Sequence, residues 1–212
     1  MTSWSLSPGF PPRGGIEIGD DGLEGIVLGY GNPIGEAHLE LQQTILDLKK
    51  RGVLIAVCSK NEDDIARQPF REHPDMILKE TDISVFQANW RDKASNIRAI
   101  SEYLSLGLDS FVFLDDNPAE RERVKQMLPE VSVPELPNDP AEYSRFLTAA
   151  GYFETTTFSE EDKNRADLYV LNAQRLELQS TIGSYEEYLA SLEMLVSFNS
   201  FDQIGRARIT QL

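Results

Sequence analysis

Two acidic residues, Asp115 and Asp116, stand side by side directly after the apolar run SFVFL (110–114). A second apolar run, VLIAV (53–57), is followed by four polar or reactive residues: Cys58, Ser59, Lys60 and Asn61. Two carboxylates, a hydroxyl and an amide form an oxygen-rich environment of the kind that suits Mg²⁺ and a phosphate group. These residues therefore indicate metal-assisted chemistry on a phosphorylated molecule, provided that the fold brings the two segments together.

Alternating helices and strands are predicted around these residues, from hydrophobic periodicity and from glycine and proline stops. The predicted helices are 35–52, 61–74, 90–108 and 119–129, and the predicted strands are 53–61, 75–79 and 110–116, with an edge strand at 131–136. This order predicts a doubly wound (Rossmann-like) α/β domain with a parallel sheet, over about residues 16–150. Residues 1–15 are predicted to be irregular, because Pro8, Pro11 and Pro12 lack the N–H that a central strand needs.

The remainder of the chain, 151–212, follows a different pattern. Its predicted elements are a capped long helix at 157–179, a helix at 184–193, a strand at 194–201 and a last helix at 201–212. One strand and a few helices do not enclose a core, so this segment is interpreted as a helical linker and the start of a truncated acyltransferase-like region.

In doubly wound sheets, ligands bind at the carboxyl ends of the strands. Both polar segments form the carboxyl ends of predicted strands, so we expect Ser59 and Asp115 to lie at the same edge of the sheet. Lys93, near the start of the helix that precedes the third strand, is placed to reach that edge and to neutralise a phosphate or a carboxylate. The sequence predicts a Mg²⁺ and phosphate site there.

The charge of the chain excludes several kinds of partner. The formal net charge is −15 and no Lys/Arg cluster is present, which disfavours both nucleic acid and an anionic membrane surface. A single cysteine allows no internal disulfide, and residues 1–15 have neither the basic start nor the apolar run of a signal peptide. A cytoplasmic protein is expected.

Three segments, VCSKN (57–61), NWRDKASNI (89–97) and FVFLDDNPAERERV (111–124), resemble the haloacid dehalogenase (HAD) superfamily and, within it, the FkbH-like branch. That branch comprises glyceryl transferases and phosphatases of polyketide pathways. The resemblance runs from about Gly14 to the last residue. It implies a phosphorylated three-carbon substrate, 1,3-bisphosphoglycerate, whose glyceryl group is carried on a cysteine and delivered to an acyl carrier protein.

The resemblance also implies a role for each matched residue. Asp115 and Asp116 would hold Mg²⁺, and Lys93 would hold the nucleophile and the phosphate. Cys58 would be the cysteine that carries the glyceryl group, so that Cys58 and Lys93 are the predicted catalytic residues. The predicted phosphate-binding residues are Ser59, Lys60, Asn61 and Lys93.

One motif of the superfamily is missing. Its members open with a strand ending in D-x-D-x-T, in which the first aspartate is the nucleophile and the second is the general acid and base. This chain reads LSPGFPPR (6–13) there and has no acid before Glu17. Either the chain is a fragment whose true start carried the motif, which we favour, or it is a degenerate paralogue. In both cases phosphoaspartate turnover is expected to be absent.

Each candidate residue also has a structural interpretation. Asp115, Asp116 and Asn117 are typical of a turn and helix cap before Pro118, and Ser59 of a helix cap. Cys58 is equally compatible with an inert thiol in the core, and Lys93 with a solvated charge. Two other functions stay open: a general Mg²⁺-dependent phosphatase of small molecules, which needs no thiol, and a non-catalytic module that binds a carrier protein.

Overall fold

The computed structural model describes residues 2–4, 23, 26–154 and 168–177 of the chain, with only the backbone at 2–4. The strands are β1 (Thr2–Trp4), β2 (Ile55–Ser59), β3 (Val85–Ala88) and β4 (Val112–Leu114). The α-helices are α1 (Pro33–Lys50), α2 (Asp63–Glu72), α3 (Lys93–Leu104), α4 (Pro118–Met127) and α5 (Tyr143–Ala149). Short 3-10 turns lie at Glu80–Asp82, Leu108–Ser110 and Pro140–Glu142.

The chain divides into two compact units, Met1–Ala173 and Gln174–Leu212. The first contains every strand and helix named above. Residues 168–177 are helical, and 174–177 are the described part of the second unit. The helix, strand and helix predicted at 184–193, 194–201 and 201–212 lie outside the described residues.

The four strands form one parallel sheet in the order β3-β2-β1-β4. β1 is therefore a central strand, with Trp4 opposite Val57 on one side and Leu114 on the other. The expectation of irregular backbone throughout residues 1–15 is wrong at Thr2–Trp4. The strand ends before Pro8, so that no proline enters the ladder.

The sheet is covered on both faces, as a doubly wound parallel sheet must be. In β2, Ile55 and Val57 face a core cluster shared with α1, α2 and α5. Ala56 and Cys58 face the other cluster, which is shared with α3 and α4. Every residue of β2 is buried, as the continuous apolar run predicted, and the predicted fold class is confirmed.

The prediction of a strand at 75–79 is wrong. This segment is a loop, and the strand that pairs with β2 is β3, at 85–88. Met76 and Leu78 are nevertheless buried, which explains their apolar character. The buried Gln42 of α1 accepts hydrogen bonds through Oε1 from the backbone N–H groups of Ile77 and Leu78, both at 2.9 Å, so these groups need no strand partner.

The predicted edge strand at 131–136 is reduced to a single parallel bridge between Val112 and Ser132. Ser132 accepts from the N–H of Phe113 and donates to the carbonyl of Phe111. Pro134 has no N–H with which to extend this ladder.

Among the described helices, none combines the length and the apolar composition needed to cross a bilayer.

Candidate functional site

The carboxyl ends of β2 and β4 lie at one edge of the sheet, on either side of β1. Ser59 ends β2 and Asp115 directly follows β4. With β1 between them, two strand spacings of about 4.8 Å put these ends roughly 10 Å apart. We call the residues at and just after the strand ends here, namely 58–61, 89–93 and 115–120, the carboxyl rim.

A buried ion pair joins two of the predicted site residues. Lys93 Nζ lies 2.6 Å from Asp115 Oδ2, and neither side chain has any solvent exposure. Lys93 is the first residue of α3, and its position is defined by Asp92, whose Oδ1 caps the helix through the N–H of Ser95. The alternative in which Lys93 is a solvated surface charge is therefore wrong.

The turn after β4 serves as a helix cap and a candidate metal site at once. Asp115 Oδ1 accepts from the N–H of Asn117, and Asn117 Oδ1 caps α4 through the N–H of Ala119. Pro118 occupies the first helical turn, as the sequence predicted. Because Asn117 caps α4, neither aspartate carboxylate is used as the helix cap, and both lie at the rim.

Asp116 is half-buried beside this ion pair. Burial, and next the charge of Asp115, raise the pKa of Asp116 to about 6, while Lys93 opposes the rise. Two carboxylates faced by one ammonium leave an excess of negative charge that a cation would relieve.

The residues present fit a magnesium ion. Mg²⁺ in phosphate-handling sites is held by one or two carboxylates, with water and substrate phosphate completing the octahedron. Asp115 and Asp116 would supply these two carboxylates, although both oxygens of Asp115 are here engaged, by Lys93 and by the N–H of Asn117. Among the described residues no group of three or more His, Cys, Asp or Glu side chains is arranged to bind a metal, so no competing site of that kind is described.

Arg121 holds the backbone of the acidic pair. Its Nη1 donates to the carbonyl oxygens of Asp115 at 2.8 Å and Asp116 at 2.9 Å, and its Nη2 lies 3.2 Å from Glu135 Oε2. Sequence reasoning missed this residue. The available signal was its place in the first turns of α4, from which a long side chain reaches back over the turn that precedes the helix.

A second ion pair crosses the carboxyl rim between β2 and α4. Lys60 Nζ lies 2.5 Å from Glu120 Oε1, with the side chains 27% and 14% exposed. Glu120 Oε2 is buried and has no hydrogen-bond partner among the described residues. Lys60 was predicted as a phosphate-binding residue, whereas Glu120 was missed because an acid in a first helical turn is ordinary.

Ser59 and Asn61 occupy different environments. Ser59 is fully buried, and its carbonyl accepts from the N–H of Asn89 at 3.1 Å, which ties β2 to the segment after β3. Asn61 is half-buried, and its Oδ1 accepts from the N–H of Glu62, a local contact at the start of α2. The N-cap of α2 is Glu62, so the helix-cap alternative for Ser59 is wrong.

Cys58 is fully buried in β2 and faces the core cluster of α3 and α4. Its thiol donates to the carbonyl of Lys93 at 3.8 Å. The pKa of this thiol is raised to about 12, chiefly by burial; the charge of Lys93 opposes the rise, and those of Asp115 and Glu120 add to it. A thiol with this pKa is almost entirely protonated at neutral pH, which is unfavourable for a nucleophile.

No protein-family model and no curated protein matches the chain. A similar solved structure is the crystal structure of the N-terminal part of the protein BF1531 from Bacteroides fragilis, which contains a phosphatase domain and is complexed with Mg. The two are 48% identical with a TM-score of 0.68, over 74% of this chain and 41% of that one. The chain thus spans about two fifths of that crystallised chain. The metal predicted from the acidic pair is the one bound in that similar structure.

Proposed function

We propose that this chain is a HAD-type domain, related to phosphatase domains, that binds Mg²⁺ and a small phosphate ester at the carboxyl rim. The observation that carries the proposal is the fully buried Lys93–Asp115 pair with the half-buried Asp116 beside it. Such a concentration of charge in a packed fold is hard to account for by stability alone, because buried ion pairs are weak contributors to stability.

The roles proposed for the rim residues follow from their contacts. Asp115 and Asp116 would bind Mg²⁺, which shields the phosphate charge when bound. Lys93 would hold Asp115 in place and face the phosphate, and Ser59 would supply a hydroxyl at the end of β2. Asn61 and Lys60 border the same edge as further polar groups.

The proposal concerns binding of metal and ester. Phosphoryl transfer to an aspartate needs a carboxylate at the point of attack, and the first acid of the sequence is Glu17. We therefore keep the prediction that Mg²⁺-dependent hydrolysis of p-nitrophenyl phosphate is absent. Hydrolysis at rates typical of phosphatases, lost in Asp116→Asn, would contradict it and would require another nucleophile.

Glyceryl transfer through Cys58 to an acyl carrier protein is the finer function that the family resemblance implies, and it stays a prediction. The burial and high pKa of Cys58 favour phosphate chemistry without the thiol. Intact-protein mass spectrometry after incubation with Mg²⁺ and 1,3-bisphosphoglycerate distinguishes glyceryl transfer through the thiol from phosphate chemistry without it. A glyceryl-sized adduct that is lost in Cys58→Ala would establish the thiol as the carrier.

The first experiment is calorimetric titration of the full chain with Mg²⁺, followed by inorganic phosphate in the presence of saturating Mg²⁺. We expect both to bind, and we expect Asp116→Asn to weaken Mg²⁺ binding at least about tenfold, because one of only two carboxylates is lost.

The matched control is Asp109→Asn. Asp109 is exposed and precedes β4, at the opposite end of the strand from Asp116. This variant should bind Mg²⁺ and phosphate as the unmodified chain does. The proposed function fails if the unmodified chain binds neither, or if the two variants lose affinity equally.

A further inference from the structure

Arg121 contacts the backbone of the acidic pair, outside the helix to which it belongs. Its Nη1 donates to the carbonyl oxygens of Asp115 at 2.8 Å and Asp116 at 2.9 Å. The helix α4 does not need these bonds for its own start, because Asn117 already caps it. The guanidinium group therefore stabilises the two residues that precede the helix cap, and these are the candidate metal ligands.

The two carbonyl groups flank a single Cα atom. The carbonyl of Asp115 belongs to the peptide group before the Cα of Asp116, and the carbonyl of Asp116 belongs to the peptide group after it. Peptide groups are planar, so holding both of them restricts the φ and ψ angles of Asp116. These angles set the direction of its Cα–Cβ bond, and Arg121 therefore controls the direction in which the Asp116 side chain leaves the backbone.

The carboxylate of Asp115 has other anchors. Lys93 donates to its Oδ2, and the N–H of Asn117 donates to its Oδ1. Asp115 would thus keep its orientation without the bond from Arg121. The contacts of Arg121 consequently matter most for the orientation of Asp116.

The guanidinium group is itself held in place. Arg121 is buried, and its Nη2 lies 3.2 Å from Oε2 of Glu135, which also accepts a hydrogen bond from Lys125. A guanidinium presents its donors in a rigid planar fork, which a lysine ammonium does not reproduce. Its positive charge repels a metal ion, so attraction of Mg²⁺ does not explain an arginine at this position.

We propose that Arg121 is a positioning residue for the metal site, which directs the carboxylate of Asp116 towards Mg²⁺ by holding the peptide groups on both sides of it. This inference rests on the proposed function, and it adds a residue that acts on the metal without touching it. Mg²⁺ demands nearly ideal octahedral geometry, so a ligand that is free to change direction binds it more weakly.

The test is calorimetric titration of the full chain with Mg²⁺, in the unmodified form and in two variants. Arg121→Lys keeps the charge and loses the planar fork, whereas Arg121→Gln loses both. Positioning predicts that both variants bind Mg²⁺ about tenfold more weakly, a typical loss when the partner of a metal ligand is removed. An effect of charge alone predicts unchanged affinity in Arg121→Lys and tighter binding in Arg121→Gln, because a repelling cation is removed.

Arg98→Lys is the matched control. Arg98 is exposed and also donates to a backbone carbonyl, that of Met127 at 3.1 Å, which lies at the opposite end of α4 from the acidic pair. This variant should bind Mg²⁺ as the unmodified chain does. Circular dichroism shows whether each variant is folded. If Arg121→Gln does not fold, the comparison of Arg121→Lys with Arg98→Lys decides alone.

The outcomes separate this inference from the proposed function. If the unmodified chain binds no Mg²⁺, both fail. If it binds Mg²⁺ and Asp116→Asn weakens the binding, but folded Arg121→Lys keeps full affinity, the proposed function stands and the positioning role of Arg121 is overturned. Tighter binding by Arg121→Gln, or an equal loss of affinity in Arg98→Lys, overturns the role as well.

Discussion

At the scale of single residues, the carboxyl rim concentrates charge inside the protein. Lys93 and Asp115 have no solvent exposure, and Asp116 is half-buried beside them. Removing water from two charges costs several kcal/mol each, and their attraction offsets this only when the contact geometry is good. The 2.6 Å contact and the additional hydrogen bond from Asn117 to Asp115 provide such geometry.

Lys93→Met should therefore destabilise the protein strongly. Without the ammonium, Asp115 is a buried charge with no counter-charge, and the free energy of unfolding should fall by about 3–5 kcal/mol. Urea unfolding at pH 7 without metal measures the change. In Lys50→Met, the control, an exposed pair with Asp47 is lost, and the change should stay within about 0.5 kcal/mol. Similar losses in both variants would contradict the buried-pair argument.

The raised pKa of Asp116 predicts a pH-dependent stability. Its pKa is about 6 in the fold and 3.8 ordinarily, so between these values the folded protein binds more protons than the unfolded chain. The stability that the Asp116 carboxyl group contributes to the fold is fully present below about pH 4. It is lost as the pH rises through about 6. Asp116→Asn lacks this loss, so its stability relative to the unmodified chain should increase between pH 4.5 and pH 7.5.

Urea unfolding without metal at several pH values measures this difference. Asp109→Asn again serves as the control for removing one carboxylate from the chain. The stability of Asp116→Asn is compared with that of the unmodified chain at each pH. If the difference between them stays constant from pH 4.5 to pH 7.5, the carboxyl group does not titrate in this window.

At the scale of elements, a side chain decides which apolar segment becomes a strand. Residues 75–79 and 85–88 both contain apolar residues that end up in the fold's interior, yet only 85–88 pairs with β2. Gln42 of α1 accepts from the N–H groups of Ile77 and Leu78 and so replaces a neighbouring strand. Local composition does not reveal this, because the acceptor lies 35 residues away along the chain.

Gln42→Leu should destabilise the protein by about 2–4 kcal/mol, because two N–H groups lose their acceptor and one of them is buried. The neighbouring Gln43 gives a matched control. Its side chain is exposed and donates to Asp47, so Gln43→Leu should change stability by less than about 1 kcal/mol. Chemical denaturation of the two variants side by side makes the comparison. Equal effects would mean that the loop is held by its apolar side chains alone.

At the scale of the whole molecule, the sheet depends on a central strand of three residues. β1 consists of only three residues, but it lies between β2 and β4 and pairs with both of them. Ser3 is paired with Ala56 on one side and Phe113 on the other. The two strand ends that carry Ser59 and Asp115 are therefore held in register by their backbone pairing with β1.

Ser3→Pro should disrupt this arrangement, because proline removes the N–H of a central strand and restricts its backbone, at about 3 kcal/mol or more. The variant should unfold at markedly lower denaturant concentration and bind Mg²⁺ less tightly. Ser3→Ala keeps the N–H and should behave like the unmodified chain. If the proline variant retains normal stability, Thr2–Trp4 does not form the middle of the sheet.

The sequence by itself determined the parts of this protein that depend on local patterns. Apolar periodicity and capping residues predicted the helices α1 to α4 and the strands β2 and β4, and they predicted the acidic pair at the carboxyl end of the strand at 110–116, whereas β4 ends at Leu114, just before the pair. The position of Lys93 at the start of α3 also followed from spacing. These features depend on neighbours within a few residues, which the sequence displays directly.

Only the tertiary structure decided the rest. It placed β1 in the middle of the sheet, assigned the third strand to 85–88, and brought Lys60 to Glu120 and Arg121 to the backbone of the acidic pair. It also buried Cys58, whose neighbours come from α3 and α4. The physical reason is that burial and pairing depend on residues distant along the chain, whose approach is settled by packing of the whole core rather than by local preference.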